Sequence, residues 1–316
     1  MMFARTLGHS TMAAVIAAGC MAAGAAAAQQ LTVVSFGGSY QEAQSKALFQ
    51  PAAKAMGITI KEETYTGIAD LRLKVKAGAV TWDIVANQIA KTRYMTDGQV
   101  TLPLVIRSAN GGGSRFGAQH SQSVENWGMM IPGLKIVAPA FPGDVKGMLA
   151  AAIRDDDPVL FFEQKSLYAA KGEVPDGEHF VELGKANVVR EGTDVTIVAL
   201  ALMVGRALKA AEILKEQHGI SASVVDLRSL VPLDTQTILR EVAKTGRLVT
   251  VEENPRLCGW GAEIASIVAE ELFWDLDGPI VRITTPHVPL AAANNLEDAQ
   301  LPSAERIVAG VRQLVD

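Results

Sequence analysis

His120 is the residue of this chain best placed to move a proton. It stands in Gly117-Ala118-Gln119-His120-Ser121-Gln122, behind the glycine-rich stretch Asn110-Gly111-Gly112-Gly113-Ser114-Arg115-Phe116-Gly117. An imidazole in a polar, glycine-flanked loop after a strand can exchange protons near neutral pH, and α/β proteins place ligands in such loops. A histidine that merely hydrogen-bonds its own loop is the other reading of the same residue. His179, His218 and His287 lack comparable settings and read as surface or structural. Asp155-Asp156-Asp157-Pro158 closes a helix, where acidic charge opposes the macrodipole. Carboxylate and carbonyl oxygens suit a hard cation, and a solvated helix-to-strand turn is the alternative. The run Gly111-Gly112-Gly113 is followed by no Gly-Lys-Ser/Thr and lacks dinucleotide spacing, so it reads as a flexible loop rather than a phosphate cradle.

The chain that must position these residues has 316 of them, enough for two domains with separate cores. Apolar residues make up 49% and charged ones 20%, as in an ordinary α/β protein. The net charge of -5 and the lack of any Lys/Arg block give no reason to expect nucleic acid as a partner. Cys20 and Cys258 are the two cysteines, too few for a disulfide framework or a cysteine zinc site.

Residues 1–28 read as a signal peptide that directs export to the periplasm. Arg5 and His9 precede an alanine-rich run from Met12 to Ala28, which ends in small residues before Gln29. The run is too short and too alanine-rich for a stable membrane span. A lipoprotein-like site at Cys20 and a buried alanine-rich helix are the alternatives.

After the leader, Leu31–Phe36, Ile58–Ile60 and Trp82–Val85 read as strands, with helices over 39–48 and 68–75 between them. Asn87–Met95 reads as a helix ended by Asp97-Gly98. Leu102–Ile106, Lys135–Ala138, Val159–Phe162, Val195–Leu200, Ser223–Asp226, Leu248–Val251 and Ile280–Ile283 read as further strands. The order is that of doubly wound, parallel α/β units, with a boundary in the polar stretch 171–192.

Two resemblances meet in this order. Gly37-Gly38-Ser39-Tyr40, Tyr65-Thr66-Gly67 and Trp82-Asp83-Ile84-Val85 resemble the first lobe of periplasmic solute-binding proteins of polyamine-type ABC transporters, over about 31–86. That resemblance implies a βαβαβ lobe fragment at 29–86 with Ser39 and Tyr40 facing a ligand cleft. Gly37-Gly38 also reads as a plain strand-to-helix turn, and no second lobe follows.

From about residue 87, Asn87–Met95, Gly117–Gln122, Pro132–Pro139, Ala152–Val159, Val225–Asp234, Val249–Glu253, Gly259–Ile264 and Pro286–Pro289 occur in order. Together they resemble the beta subunit of the thiamine-diphosphate-dependent 2-oxo acid dehydrogenase (pyruvate, branched-chain or acetoin type). The resemblance implies a truncated transketolase-like pyrimidine-binding domain at 87–185 and a complete transketolase C-terminal-like domain at 190–316. It implies an alpha subunit as partner, holding the diphosphate and its magnesium, and a lipoyl-bearing acyltransferase core that docks on the C-terminal domain. His120 matches the active-site histidine that meets the reaction intermediates and the lipoyl arm. Leu104, Ala152, Ile153, Asp155 and Asp157 match a structural potassium site, built mostly from backbone oxygens.

The family's glutamate that hydrogen-bonds the aminopyrimidine ring has no counterpart here, because the solute-binding fragment occupies its place. General acid–base assistance is worth about 10²–10⁴-fold, so activity should fall accordingly. Three readings follow: a partial enzyme subunit of cytoplasmic type, an exported binding-protein fragment, or a fused product without either activity. The three strands at 31–85 are expected to pair with the exposed edge of the enzyme sheet.

Overall fold

A computed structural model describes residues 30–35, 42–43, 45–56, 59–64 and 84–315. The signal-peptide reading, Ser39, Tyr40 and the helix expected over 68–75 lie outside the described residues.

The N-terminal strands β1 (Gln30–Ser35) and β2 (Thr59–Thr64) pair in parallel around a helical segment that ends as α1 (Gln50–Met56). This is the expected strand–helix–strand unit. The third strand is not formed as read: Ile84–Gln88 is a π-helical turn, followed by a 3₁₀ turn at Ile89–Lys91 and by α2 (Thr92–Met95). Packing explains the difference, because Ala90 is buried in the enzyme core with Val85 and Ile89 against it. Facing that core demands helical spacing, which overrides the β-branched content of Ile84-Val85. The turn after α2 uses positive φ at Asp97 and Gly98, as expected.

The first large sheet has the order β3-β5-β4-β9, from β3 (Val105–Asn110), β5 (Val159–Gln164), β4 (Lys135–Val137) and β9 (Ser229–Val231). The expected strand at 102–106 starts later, at Val105. Two short helices, α3 (Gly117–His120) and α4 (Glu125–Met129), follow β3, and α5 (Pro142–Ile153) links β4 to β5. Val105, Val137, Val159 and Phe161 face Met148 and Ala152 of α5. Strand β9 comes from the C-terminal half and runs antiparallel to β4, so the sheet is mixed.

The second sheet has the order β11-β10-β7-β8-β6. Its members are β6 (Asn187–Arg190), β7 (Val195–Ala199), β8 (Ala222–Asp226), β10 (Leu248–Pro255) and β11 (Val281–Thr285). All five residues of β7 and of β8 are buried, the continuous burial of strands covered on both faces. Helix α6 (Leu202–His218) buries Met203, Val204, Ala207, Ala210, Ala211 and Leu214 at helical spacing and stops at Gly219, which has positive φ. In α7 (Thr235–Thr245) the Asp234 carboxylate caps the N-terminus by accepting from Thr237 N–H at 3.1 Å. Helices α8 (Trp260–Glu271), α9 (Asn294–Gln300) and α10 (Ala304–Val315) complete the half. Antiparallel β6 makes this sheet mixed as well, which corrects the purely parallel expectation.

The N-terminal unit rests on the first sheet through Phe49. That ring is buried with Val105, Val159 and Phe161, and the Arg107 guanidinium lies 5.2 Å from its centre. β1 runs close to β3, but the two strands belong to separate sheets. The expected edge pairing is therefore not formed between them.

Candidate active site

The glycine-rich loop leaves β3 with an unusual backbone: Gly111, Gly113, Arg115 and Gly117 all have positive φ. Gly111 cannot be replaced without disturbance, since a Cβ there would lie 2.7 Å from the Gln164 amide nitrogen. The loop closes on itself where Gly111 N–H donates to Gln122 C=O at 2.8 Å. Three of its other N–H groups already have anions. Gly112 donates to the Glu253 carboxylate, and Gly113 and Arg115 donate to Glu297 at 3.0 and 3.2 Å. The Arg115 guanidinium adds bonds of 2.7 Å to Glu297 and 2.7 Å to Asp298. Internal carboxylates fill the concave side of the loop. The loop is fastened, which corrects the expectation of a flexible one.

This loop delivers α3, whose last residue, His120, is exposed beside a groove between the two halves; its neighbours Ala118, Gln119 and Gln122 line that groove and His120 itself does not. The groove encloses about 1320 Å³. Ala118, Gln119 and Gln122 of the His120 turn line one side, and Leu230, Trp260 and Leu290 line the other. His287, read as structural in the sequence, also faces this space. Thr285 is buried there with its hydroxyl unpartnered among the described residues. Apolar walls with a few polar groups are the usual make-up of a small-molecule site.

Beneath the groove lie two buried acids. Glu125 accepts from Asn110 Nδ2 at 2.7 Å, and burial pushes its carboxyl up to about 8. Glu253 accepts from Gly112 and from Gln164 Nε2 at 3.1 Å, and burial raises its pKa too. A small cavity of about 10 Å³ separates them, with Trp260 on its wall, and the Trp260 Nε1–H has no partner among the described residues. That is room for one bridging water. Glu125 is held by Asn110 and Glu253 by Gly112 and Gln164, so both turn toward the protein. With no residue matched to the family's activating glutamate, the described residues do not by themselves fit the whole thiamine group.

The Asp triplet follows α5 as expected, but its side chains are taken. Asp155 accepts from Lys135 Nζ at 2.7 Å and from Asp157 N–H at 2.9 Å. Asp157 accepts from Arg93 at 2.9 Å and lies 3.4 Å from Lys135. Leu104 sits beside this turn: its C=O accepts from Val159 N–H, and Leu102 N–H donates to Asp156 C=O. Ala152 C=O accepts from Asp155 N–H at 3.3 Å. The five residues read as a potassium site are thus near one another in the fold. With the carboxylates paired to Lys135 and Arg93, an ion here would depend on backbone oxygens. Among the described residues no group of three or more His, Cys, Asp or Glu side chains could hold a metal.

The description "transketolase, pyrimidine binding domain" matches residues 74–171, and "transketolase, C-terminal domain" matches 184–307. The chain is 47% identical over 234 residues to the acetoin:2,6-dichlorophenolindophenol oxidoreductase subunit beta of Cupriavidus necator, covering 74% of this chain and 69% of that protein. The chain belongs to the E1 beta-subunit family of 2-oxo acid dehydrogenases. The mitochondrial pyruvate dehydrogenase E1 component subunit beta of Pisum sativum is also 47% identical, over 235 residues, covering 73% of this chain and 65% of that one. The chain thus spans about two thirds of the length of these relatives. A solved split-gene transketolase, an inactive beta4 tetramer, shares the fold at TM-score 0.67 and 24% identity, over 90% of this chain and 91% of that one. The pyrimidine-domain match starts inside the segment read as solute-binding, ahead of residue 87.

Several residues that shape the glycine-rich loop and the floor of the groove escape sequence reasoning. Glu125, Gln164 and Glu297 are isolated polar residues whose partners lie far along the chain. Glu252 and Glu253 did carry a signal, as two acids in the apolar strand Val249–Glu253. Glu252 is fully buried, pairs with Arg282 at 2.8 Å and accepts from Gly261 N–H at 2.9 Å, so it ties β10 to α8 and β11.

Proposed function

We propose that this chain is a partial beta subunit of a 2-oxo acid dehydrogenase decarboxylating component. It would act with an alpha subunit in oxidative decarboxylation of a 2-oxo acid, with acyl transfer to a lipoyl group on an acyltransferase core. The supporting observation is the 47% identity to an E1-type beta subunit over 234 residues, a stretch that includes the fastened loop and His120 beside the groove. In this reading thiamine diphosphate is shared with the alpha subunit, magnesium stays on the alpha side, and His120 meets intermediates and the lipoyl arm. Potassium would sit at Leu104, Ala152, Ile153, Asp155 and Asp157, on backbone oxygens.

The chain contributes a proton-exchanging imidazole and apolar walls, but not the activating glutamate of the family, so turnover should be weak. Domains run 87–185 and 190–316, after a signal peptide at 1–28 and a lobe fragment at 29–86. Mixing the purified chain with an alpha subunit and thiamine diphosphate tests the reading. Low decarboxylation that disappears with His120→Ala supports it. Turnover equal to that of a full-length beta subunit would refute the role given to the missing glutamate, and no binding to the alpha subunit would refute the reading itself.

A further inference from the structure

The loop carrying His120 cannot hold its own shape. Four of its residues from Gly111 to Gly117 have positive φ, including Arg115, which bears a full side chain in a conformation that costs about 1–2 kcal/mol. Within the first domain the loop is tied by the Gly111–Gln122 neck and by Ser166, whose hydroxyl donates to Gly112 C=O at 2.8 Å and lies 3.1 Å from that of Ser114. Gln164 Nε2, also of the first domain, donates to Gly112 C=O at 2.7 Å, while the carboxylates that take the N–H groups of the tip come from the other domain. The Glu297 side chain is fully buried and takes three donors: Gly113 N–H, Arg115 N–H and the Arg115 guanidinium. Successive N–H groups closing on one carboxylate form an anion nest, occupied here by the protein itself. Glu253 adds a fourth contact at Gly112.

We propose that Glu297, assisted by Glu253, is a positioning residue that sets the place of His120 beside the groove. The Gly117–His120 turn begins two residues beyond the last of these bonds. Its aim is therefore fixed by the C-terminal domain, although His120 belongs to the first. The functional weight of this proposal rests on the reading of His120 as the active-site histidine.

The full chain with Glu297→Ala tests it. Amide exchange at Gly113 and Arg115 is expected to rise about tenfold to a hundredfold, with β7 and β8 amides unchanged. The His120 ring signal, identified by its loss in His120→Asn, is expected to broaden or split. Glu297→Gln, which keeps an acceptor for Gly113, should restore part of both. Unchanged loop exchange, or a His120 signal indifferent to Glu297→Ala, would overturn the proposal. Should Glu297→Ala fail to fold, Arg115→Met removes one arm of the clamp and should raise exchange at position 115 several-fold, and no rise there would likewise overturn it. Failure of the parent chain to decarboxylate with an alpha subunit would end the functional reading while leaving the exchange result standing.

Discussion

Arg228 holds Asp144 by two hydrogen bonds, Nε to Oδ2 at 3.0 Å and Nη2 to Oδ1 at 2.6 Å, and so joins the turn before β9 to the first turn of α5. Both side chains are largely buried, and Arg228 has positive φ. A two-pronged guanidinium–carboxylate pair fixes orientation as well as distance. Arg228→Met would leave Asp144 buried and unpaired. We expect a loss of about 2–4 kcal/mol, read as a lower midpoint in urea unfolding. Asp144→Asn should cost less, because the amide oxygen still accepts one Arg228 hydrogen bond and the guanidinium left without its counter-charge is the more exposed of the pair.

Glu125 should make stability depend on pH. Its carboxyl is pushed up to about 8 in the folded chain, against 4.5 for the ordinary group, with Glu253 and Glu252 as the nearby negative charges. Between those values the folded chain holds a proton that the unfolded chain releases, so stability falls as pH rises through the window. Asp226, raised by burial to about 7 from 3.8, acts in the same direction. Glu125→Gln keeps the shape and removes the charge. It should stabilise by about 1–3 kcal/mol at pH 8 and have little effect at pH 4. A thermal midpoint that rises from pH 5 to pH 8 in the parent chain would contradict this.

Gly133 holds the helical segment at residues 84–95. It has a φ of +100, and a Cβ there would lie 1.8 Å from Ala90 C=O. Gly133→Ala should therefore displace residues 84–95 from the core, lowering the melting temperature and opening that segment to protease. A variant that melts with the parent would show that Ala90 does not pack there.

Phe49 tests whether the N-terminal unit is docked. Phe49→Ala removes a buried ring from the cluster of Val105, Val159 and Phe161. A docked unit should lose about 3–5 kcal/mol of local stability, seen as faster cleavage within 45–64. Equal cleavage in parent and variant would mean that residues 30–64 are not held.

The elements most legible in the sequence were those whose pattern is set by their own burial. Val195–Leu200 reads as a strand, and the structure forms one over Val195–Ala199 with every residue buried. The glycine-flanked turn before His120 was legible for the same local reason, since positive φ is written into residue type at Gly111, Gly113 and Gly117. What stayed hidden was distant. Nothing near Gly113 announces a carboxylate 184 residues away, and nothing near Lys135 announces Asp155 as its partner. Ile84-Val85 was misread because Val85 packs, in space, against a core that the local pattern does not include.

β9 has a consequence for how the molecule comes apart. Ser229–Val231 lies within the C-terminal half yet completes the first sheet by pairing with Ile136 and Val137. Leu134, Ile136 and Phe162 of the first half share a core with Val198, Leu200, Leu227 and Trp260 of the second. The halves therefore trade a strand and a hydrophobic interior, so neither melts without exposing the other. Heat should take both in one cooperative step, and a fragment cut at residue 190 would carry a three-residue strand whose ladder partner had been left behind.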